Sequence, residues 1–175
     1  MVNTFSTPHY KGAWFSFNGD RMSLRSSIQT LLRTELSDPE GNLRVGDSGP
    51  EWKGTKAIDL SYSHSGRFAL LVWTSTHRIG VDLEPLNRDY SHTPLELAKR
   101  FFHPNEFNSL SRNQGSPPRL SQEFLDLWLK KEAYAKLTRH GLKDSIRIET
   151  STIPSVRFEI VPVIPIGYDA RVALL

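Results

Sequence analysis

Helical spacing of apolar residues is the clearest regular pattern in this chain of 175 residues. It predicts a first helix that begins after Asp20, whose carboxylate can act as the N-cap. Two short elements, a helix at 93–102 and a turn or helix at 103–110, each carry a proline near their start. A long helix is predicted with Ser121 as its N-cap and Gly141 just past its end.

Apolar runs with strand character lie between and after these helices. They predict strands at 13–17, 68–73, 79–84, 145–150, 156–161 and 168–175. Two segments rich in Gly, Pro, Asp or Ser, 37–56 and 111–120, predict loops with little regular structure. We expect the second of them to be the most mobile part of the chain.

A short internal sequence repeat suggests a duplicated architecture. Residues 67–71 read RFALL and residues 171–175 read RVALL, and each closes a stretch that passed through a strand and an amphipathic helix. The repeat predicts two similar half-domains, 1–77 and 78–175.

The composition excludes several classes of site. With no cysteine, the chain has no disulfide, no thiolate zinc site and no thiol nucleophile. Apart from His64, the five histidines show no metal-ligand spacing, which argues against zinc. The net charge of +3 comes from dispersed basic residues, so it favours a phosphate-bearing ligand or an acidic protein over nucleic acid. Apolar runs are far shorter than the roughly 20 residues of a membrane helix, and no signal peptide is evident. We therefore expect a soluble, cytoplasmic protein.

Two carboxylates in the stretch IGVDLE are the first candidates for chemistry. Side chains alternate along a strand, so Asp82 and Glu84 share one face and Val81 and Leu83 share the other. One interpretation is a half-buried strand with a solvated outer face. The other is a pair of carboxylates directed at a cation.

A third carboxylate lies on the long helix. Glu132 shares a helical stripe with Trp128 and Lys136, four residues away on either side. Glu132 and Lys136 could form an exposed ion pair, which contributes only about 0.3–0.5 kcal/mol. Packed over the IGVDLE strand, Glu132 would instead complete a set of three hard oxygen ligands of the kind Mg²⁺ prefers.

Three stretches, in this order and spacing, resemble the 4′-phosphopantetheinyl transferase superfamily. They are SHSGRFALL at 63–71, IGVDLE at 79–84 followed by LAKRFFHPNEF at 97–107, and LWLKKEAYAKLTRHGL at 127–142. The chain is most similar to the larger, pseudo-dimeric type that activates surfactin synthetase and related peptide and polyketide synthases. Its N-terminal half is shorter than is usual for that type.

The resemblance implies an α+β fold of two similar α/β half-domains, each with a short antiparallel sheet and a long helix, related by pseudo-two-fold symmetry. It implies transfer of 4′-phosphopantetheine from coenzyme A to a serine of an acyl or peptidyl carrier protein, with release of 3′,5′-ADP. The cofactor would be Mg²⁺, or Mn²⁺ in its place. We expect a monomer, although the short N-terminal half leaves dimerisation open, and we expect neither nucleic acid nor membrane as a partner.

The resemblance also assigns roles to single residues. Asp82, Glu84 and Glu132 would hold Mg²⁺ with the pyrophosphate, and Glu132 would also be the base for the carrier serine. Lys136 would contact the phosphate that stays with the pantetheine arm, and Lys131 would contact phosphate from the neighbouring position.

Further candidates would bind the rest of coenzyme A. Ser63 and His64 are expected near its phosphates, although a histidine between two serines is also an ordinary turn or strand-edge residue. Arg21 and Arg25 could hold the 3′-phosphate, or could be the solvated face of their helix. Lys56 and the pair at 49–50 compete for the place beside the adenine.

Two alternative functions share parts of this pattern. A metal-dependent nuclease also combines Asp, Glu and Lys around Mg²⁺, but the chain has no basic stripe for a nucleic-acid backbone. A non-catalytic protein that binds coenzyme A would keep the fold without the reaction. For the carrier protein, segments 95–107 and 111–120 are the predicted contact surface.

Overall fold

The computed structural model describes residues 2–113 and 115–175. Its elements in chain order are β1 (Val2–Ser6), β2 (Lys11–Ser16), α1 (Arg21–Glu35), β3 (Asn42–Gly46), β4 (Gly49–Lys53), β5 (Asp59–Ser65), β6 (Phe68–Thr74), β7 (Ile79–Pro85), α2 (Pro94–Phe101), α3 (Pro104–Ser111), α4 (Pro117–Thr138), α5 (Leu142–Ser145), a 3₁₀ turn (Thr150–Thr152), β8 (Arg157–Ile160) and β9 (Tyr168–Leu174). None of the helices described is both long and apolar enough to cross a membrane.

The strands form three small antiparallel sheets, so the fold belongs to the predicted α+β class. The first sheet has the order β1-β2-β6-β5, the second is the β3-β4 hairpin, and the third has the order β7-β9-β8. In the first and third sheets the last strand in sequence, β6 or β9, lies between an earlier strand and the one just before it. The symmetry of the two half-domains and their boundaries stay predictions.

The two larger sheets share one buried apolar cluster. Ile79, Val81 and Leu83 of β7 belong to it together with Leu70 and Val72 of β6. Helix α1 covers the other face of the first sheet, and α4 packs on the third sheet through a separate cluster. The alternate residues of β7 therefore face α4.

Helix α1 follows the prediction closely. Leu24, Ile28 and Leu32 are buried at the predicted spacing, and the carboxylate of Asp20 accepts a hydrogen bond from the backbone N–H of Met22.

Helix α4 begins earlier than the sequence suggested. Its N-cap is Ser116 and not Ser121, because Pro117 and Pro118 fit the first helical turn, where no N–H donor is needed. The predicted loop 111–120 therefore contributes its last four residues to the helix, and its Gln114 lies outside the described residues. The helix ends at Thr138, before Gly141, with Arg139 in the left-handed region at φ 60°.

The predicted loop at 37–56 was wrong, since most of it is the β3-β4 hairpin. Gly46 pairs with Gly49 across a two-residue turn, and Gly49 has a φ of 94° that suits glycine. Trp52 is the one residue of the hairpin that is fully buried, and its Nε1 donates to Asp38 Oδ2 at 3.0 Å. A hairpin with so little buried surface shows no apolar alternation.

The predicted strand at 145–150 was also wrong. Ser145 ends α5 and donates from its hydroxyl to the carbonyl oxygen of Gly141, and a 3₁₀ turn begins at Thr150. Ile146 is buried against the α2-α3 region, so its apolar character reflects tertiary packing and not a sheet.

Candidate functional site

Strands β5 and β7 lie side by side where the first and third sheets meet. The carboxylate of Asp59 accepts a hydrogen bond from the backbone N–H of Ile79 at 2.8 Å. The hydroxyl of Ser61 accepts one from the backbone N–H of Val81 at 3.1 Å. Polar side chains of β5 thus accept hydrogen bonds from backbone N–H groups of β7. These bonds fix how the two strands align.

The next side chains along β5 bind the two predicted carboxylates of β7. Ser63 donates to Asp82 Oδ1 at 2.7 Å, and Ser65 donates to Glu84 Oε2 at 2.6 Å. Asp82 is only 4% exposed and Glu84 only 7%. The interpretation of a solvated outer face was therefore wrong, because both faces of β7 are covered.

Gly80 brings α4 onto the same face of β7. A Cβ at Gly80 would overlap the carbonyl oxygen of Ala133 and lie 2.5 Å from the backbone nitrogen of Leu137. The backbone of α4 therefore rests directly on the strand. This close approach places Glu132 and Lys136 of the helix next to the carboxylates of β7.

Lys136 pairs with the strand and not with its helical neighbour. Its Nζ donates to Asp82 Oδ1 at 2.7 Å, so the alternative of an exposed Glu132–Lys136 pair was wrong. The other oxygen, Asp82 Oδ2, is buried and has no hydrogen-bond partner within the described residues. A buried carboxylate oxygen without a partner is costly unless a ligand fills the position.

Glu132 stands within electrostatic reach of both strand carboxylates. Burial raises the pKa of Glu132 to about 7, and the nearby charges of Asp82 and Glu84 add to the rise. Burial also raises the pKa of Glu84, and the charge of Asp82 contributes. Three carboxylates that destabilise one another's charge in this way favour the arrival of a cation.

Arg88 is a member of the site that the sequence reasoning missed. Its guanidinium forms an ion pair with Glu84 Oε1 and lies over the ring of Tyr90, 5.1 Å from the centroid. Arg88 belongs to the irregular segment after β7, where side-chain direction does not follow from periodicity. The only sequence signal was a basic residue close behind the two carboxylates.

The predicted metal ligands do not form a ready-made ligand set. In the part of the chain that the structure describes, no three His, Cys, Asp or Glu side chains stand in a metal-ligating arrangement. Lys136 pairs with Asp82 and Arg88 pairs with Glu84, so these side chains supply the positive charge that a metal ion would otherwise supply. The donor chemistry nevertheless fits Mg²⁺, since the oxygens are hard and one of them, Asp82 Oδ2, is buried without a partner.

The predicted phosphate-binding residues Ser63 and His64 lie on β5 beside this cluster. The imidazole of His64 stacks on Phe17 with 4.6 Å between ring centroids. Burial lowers the pKa of His64, and the charges of Arg21 and Lys136 lower it further. His64 thus lies within electrostatic reach of both Arg21 and Lys136.

Arg25 lies one turn further along α1 than Arg21. Its Nε is buried and has no hydrogen-bond partner among residues 2–113 and 115–175. Arg21 is exposed, whereas Arg25 is partly buried.

Lys131 does not join the carboxylate cluster. It is 1% exposed, and its Nζ lies 2.6 Å from Glu106 Oε2 and 2.7 Å from the carbonyl oxygen of Ile148. Neighbouring helical residues point about 100° apart, so Lys131 and Glu132 face different neighbours of α4. The predicted phosphate contact of Lys131 does not match this placement, because the ammonium is enclosed and already paired.

Two cavities separate the competing candidates for the adenine. Lys56 lines a cavity of about 740 Å³ near Arg78 and Arg139. Gly49 and Pro50 line another of about 300 Å³, which Lys136 also borders. The cavity at 49–50 is therefore the one of the two that Lys136 borders, whereas Arg139 lines both.

A known protein family matches the part of the chain that carries these carboxylates. The model of the 4′-phosphopantetheinyl transferase superfamily matches residues 78–167, which is 90 of the 175 residues. That stretch contains β7, α4 and all three carboxylates.

Three curated proteins that are similar to this chain are named 4′-phosphopantetheinyl transferases. A Synechocystis protein, provisionally named a 4′-phosphopantetheinyl transferase, is 34% identical over 132 residues, which cover 71% of this chain and 51% of the relative. The 4′-phosphopantetheinyl transferase of Bacillus subtilis is 32% identical over 119 residues, 64% of this chain and 50% of the relative. The 4′-phosphopantetheinyl transferase of Aneurinibacillus migulanus is 33% identical over 86 residues, which cover 49% of this chain and 33% of the relative. The chain thus spans about half the length of the first two.

Proposed function

Because the chain belongs to the 4′-phosphopantetheinyl transferase superfamily, we propose that it transfers 4′-phosphopantetheine from coenzyme A to a serine hydroxyl of an acyl or peptidyl carrier protein. The observation that carries the proposal is that Asp82, Glu84 and Lys136 converge between β5, β7 and α4, with Glu132 of α4 within electrostatic reach of both strand carboxylates. Three carboxylates with a lysine suit a reaction in which positioning and charge stabilisation supply most of the catalysis.

In this proposal Asp82, Glu84 and Glu132 hold Mg²⁺, or Mn²⁺ in its place, together with the pyrophosphate of coenzyme A. The ion would offset charge on the phosphate oxygens. Two observations support its fit: Asp82 Oδ2 is buried without a partner among the described residues, and the ammonium of Lys136 already pairs with Asp82 Oδ1.

The protein's own residues would then carry the transfer. The serine oxygen of the carrier forms a bond to the phosphorus that bears the pantetheine arm, and the bond from that phosphorus to 3′,5′-ADP breaks. Glu132 takes the serine proton, directly or through a water molecule. Lys136 neutralises the phosphate that stays with the arm, and His64 can donate a hydrogen bond to a phosphate oxygen. Ser63 would have to release Asp82 Oδ1 before its hydroxyl could donate to one.

The remaining expectations also belong to this proposal. The half-domains 1–77 and 78–175 would meet at the β5–β7 seam, with coenzyme A in the cleft beside it. Arg21 and Arg25 would hold the 3′-phosphate, and residues 49–50 are preferred over Lys56 beside the adenine. The protein would act as a cytoplasmic monomer, and the carrier would dock on 95–107 and 111–120.

The test is the intact mass of several apo carrier proteins after incubation with the protein, coenzyme A and Mg²⁺. We compare the wild type with Glu132→Gln, which keeps the shape of the side chain and removes its charge. Glu123→Gln is the matched control, because Glu123 lies nine residues before Glu132 on the same helix and contacts Arg119 and Asn113 rather than the carboxylates of β7.

A gain of one phosphopantetheine with the wild type and with Glu123→Gln, but not with Glu132→Gln, is the expected result. Binding of coenzyme A without transfer to any carrier would support a non-catalytic member of the family. No transfer and no binding of coenzyme A would contradict the proposal.

A further inference from the structure

Both oxygens of the Glu84 carboxylate are already engaged. Ser65 donates to Oε2 at 2.6 Å, and the guanidinium of Arg88 pairs with Oε1. A neutral hydroxyl can stay in place when a carboxylate binds a cation. A guanidinium carries a fixed positive charge and therefore competes with the cation for the same oxygen.

The neighbouring Asp82 is different. Lys136 and Ser63 share its Oδ1, whereas Oδ2 has no partner within 2–113 and 115–175. A cation bound at Oδ2 would break no hydrogen bond of Asp82. To reach Glu84 as well, it must displace Arg88.

Arg88 also has a second contact that does not involve Glu84. Its guanidinium lies over Tyr90, whose ring packs edge-on against Phe124 and at a steep angle against Trp128 of α4. Trp128 is one turn from Glu132 on the same helix. The side chain of Arg88 is 38% exposed, so it has room to turn.

We propose that Arg88 neutralises Glu84 until a divalent cation takes the carboxylate, and that its guanidinium then turns to a phosphate oxygen of the donor. This inference rests on the proposed function. It couples the two ligands, because the residue that the cation displaces becomes a binding group for coenzyme A. Guanidinium groups suit this exchange, since they pair with carboxylate and phosphate in the same geometry.

The exchange predicts opposite effects on the two ligands. Without Arg88 the cation loses a competitor, so it binds the free protein more tightly. Coenzyme A loses a partner, so it binds the cation-loaded protein more weakly. A merely structural role, such as anchoring the segment after β7, would not tighten binding of the cation.

The test uses Mn²⁺ as the probe and measures its binding by electron paramagnetic resonance, with no coenzyme A present. Calorimetry then measures binding of coenzyme A at saturating Mn²⁺. The variants are Arg88→Gln and Arg88→Lys, with Arg119→Gln as the control, because Arg119 also forms an i,i+4 ion pair but at the exposed start of α4. Thermal unfolding confirms that each variant is folded.

For Arg88→Gln we expect Mn²⁺ to bind about three- to tenfold more tightly and coenzyme A about tenfold more weakly. Arg88→Lys, which keeps the charge, should lie between Arg88→Gln and the wild type, and Arg119→Gln should match the wild type. Unchanged or weaker Mn²⁺ binding by folded Arg88→Gln, with a wild type that binds Mn²⁺ and transfers phosphopantetheine, would overturn this inference alone. A wild type that binds no Mn²⁺ would overturn both the inference and the proposed metal site.

Discussion

Replacing Gly80 by alanine tests how the site is assembled, because it adds one methyl group where α4 rests on β7. The added Cβ would overlap the carbonyl oxygen of Ala133 and lie 2.5 Å from the backbone nitrogen of Leu137. Ordinary contact begins near 3.4 Å, so the helix must move by about 1 Å. Backbone atoms cannot turn aside as a flexible side chain can. Overpacking of this kind costs about 1–3 kcal/mol of unfolding free energy.

The same shift moves Glu132 and Lys136 away from the carboxylates of β7. A displacement of about 1 Å in a catalytic group can lower the rate about 10²-fold. We therefore expect Gly80→Ala to lose stability in urea unfolding and to lose transfer to the carrier at temperatures where it is still folded. Gly46→Ala is the control, because a Cβ at Gly46 would meet nothing within 4 Å. A Gly80→Ala variant as stable and as active as Gly46→Ala would refute the reasoning.

Three further predictions follow from single contacts. Lys131→Met removes the ammonium from the buried carboxylate of Glu106, which then keeps only its hydrogen bonds from His103 and Thr150, so urea unfolding should show a loss of about 3–5 kcal/mol. A loss below about 1 kcal/mol, the usual value of an exposed pair, would contradict a buried ion pair. Lys136→Gln should lower the transfer rate at least about 10²-fold with the fold intact, whereas Lys130→Gln on the same helix should match the wild type. The pKa of His64 is lowered, so its NMR titration midpoint should lie below 6.5, and stability should fall as the pH drops below that value because the unfolded chain takes up the proton first. A midpoint above 6.5 would contradict the burial of His64.

The sequence predicted the strand and helix that carry the site because both patterns are regular. Period-two alternation in IGVDLE placed Asp82 and Glu84 on one face, and helical spacing placed Glu132 and Lys136 on one stripe. The choice between a solvated face and a buried one depended on what covers the strand. The covering element is set by tertiary packing. It is α4, whose backbone approaches Gly80 closely, and no local sequence pattern reveals this approach.

Other features could not be predicted because they depend on distant partners. Lys131 follows the same family motif as Glu132, yet its partner Glu106 lies on another helix, so only the packing of α3 against α4 shows which way it points. Arg88 lies in an irregular segment without periodicity. Trp52 is a lone fully buried residue in an exposed hairpin, so the alternation that marks a strand was absent.

The central claim is that carboxylates from β7 and α4 form one cation site that also receives the pyrophosphate of coenzyme A. A crystal structure of the protein with coenzyme A and Mn²⁺, recorded at a wavelength where manganese scatters anomalously, tests it most directly. The account predicts one anomalous peak within ligand distance of Asp82, Glu84 and Glu132 and of a pyrophosphate oxygen. Coenzyme A bound elsewhere, or in the cleft with its manganese held by other residues, would contradict it.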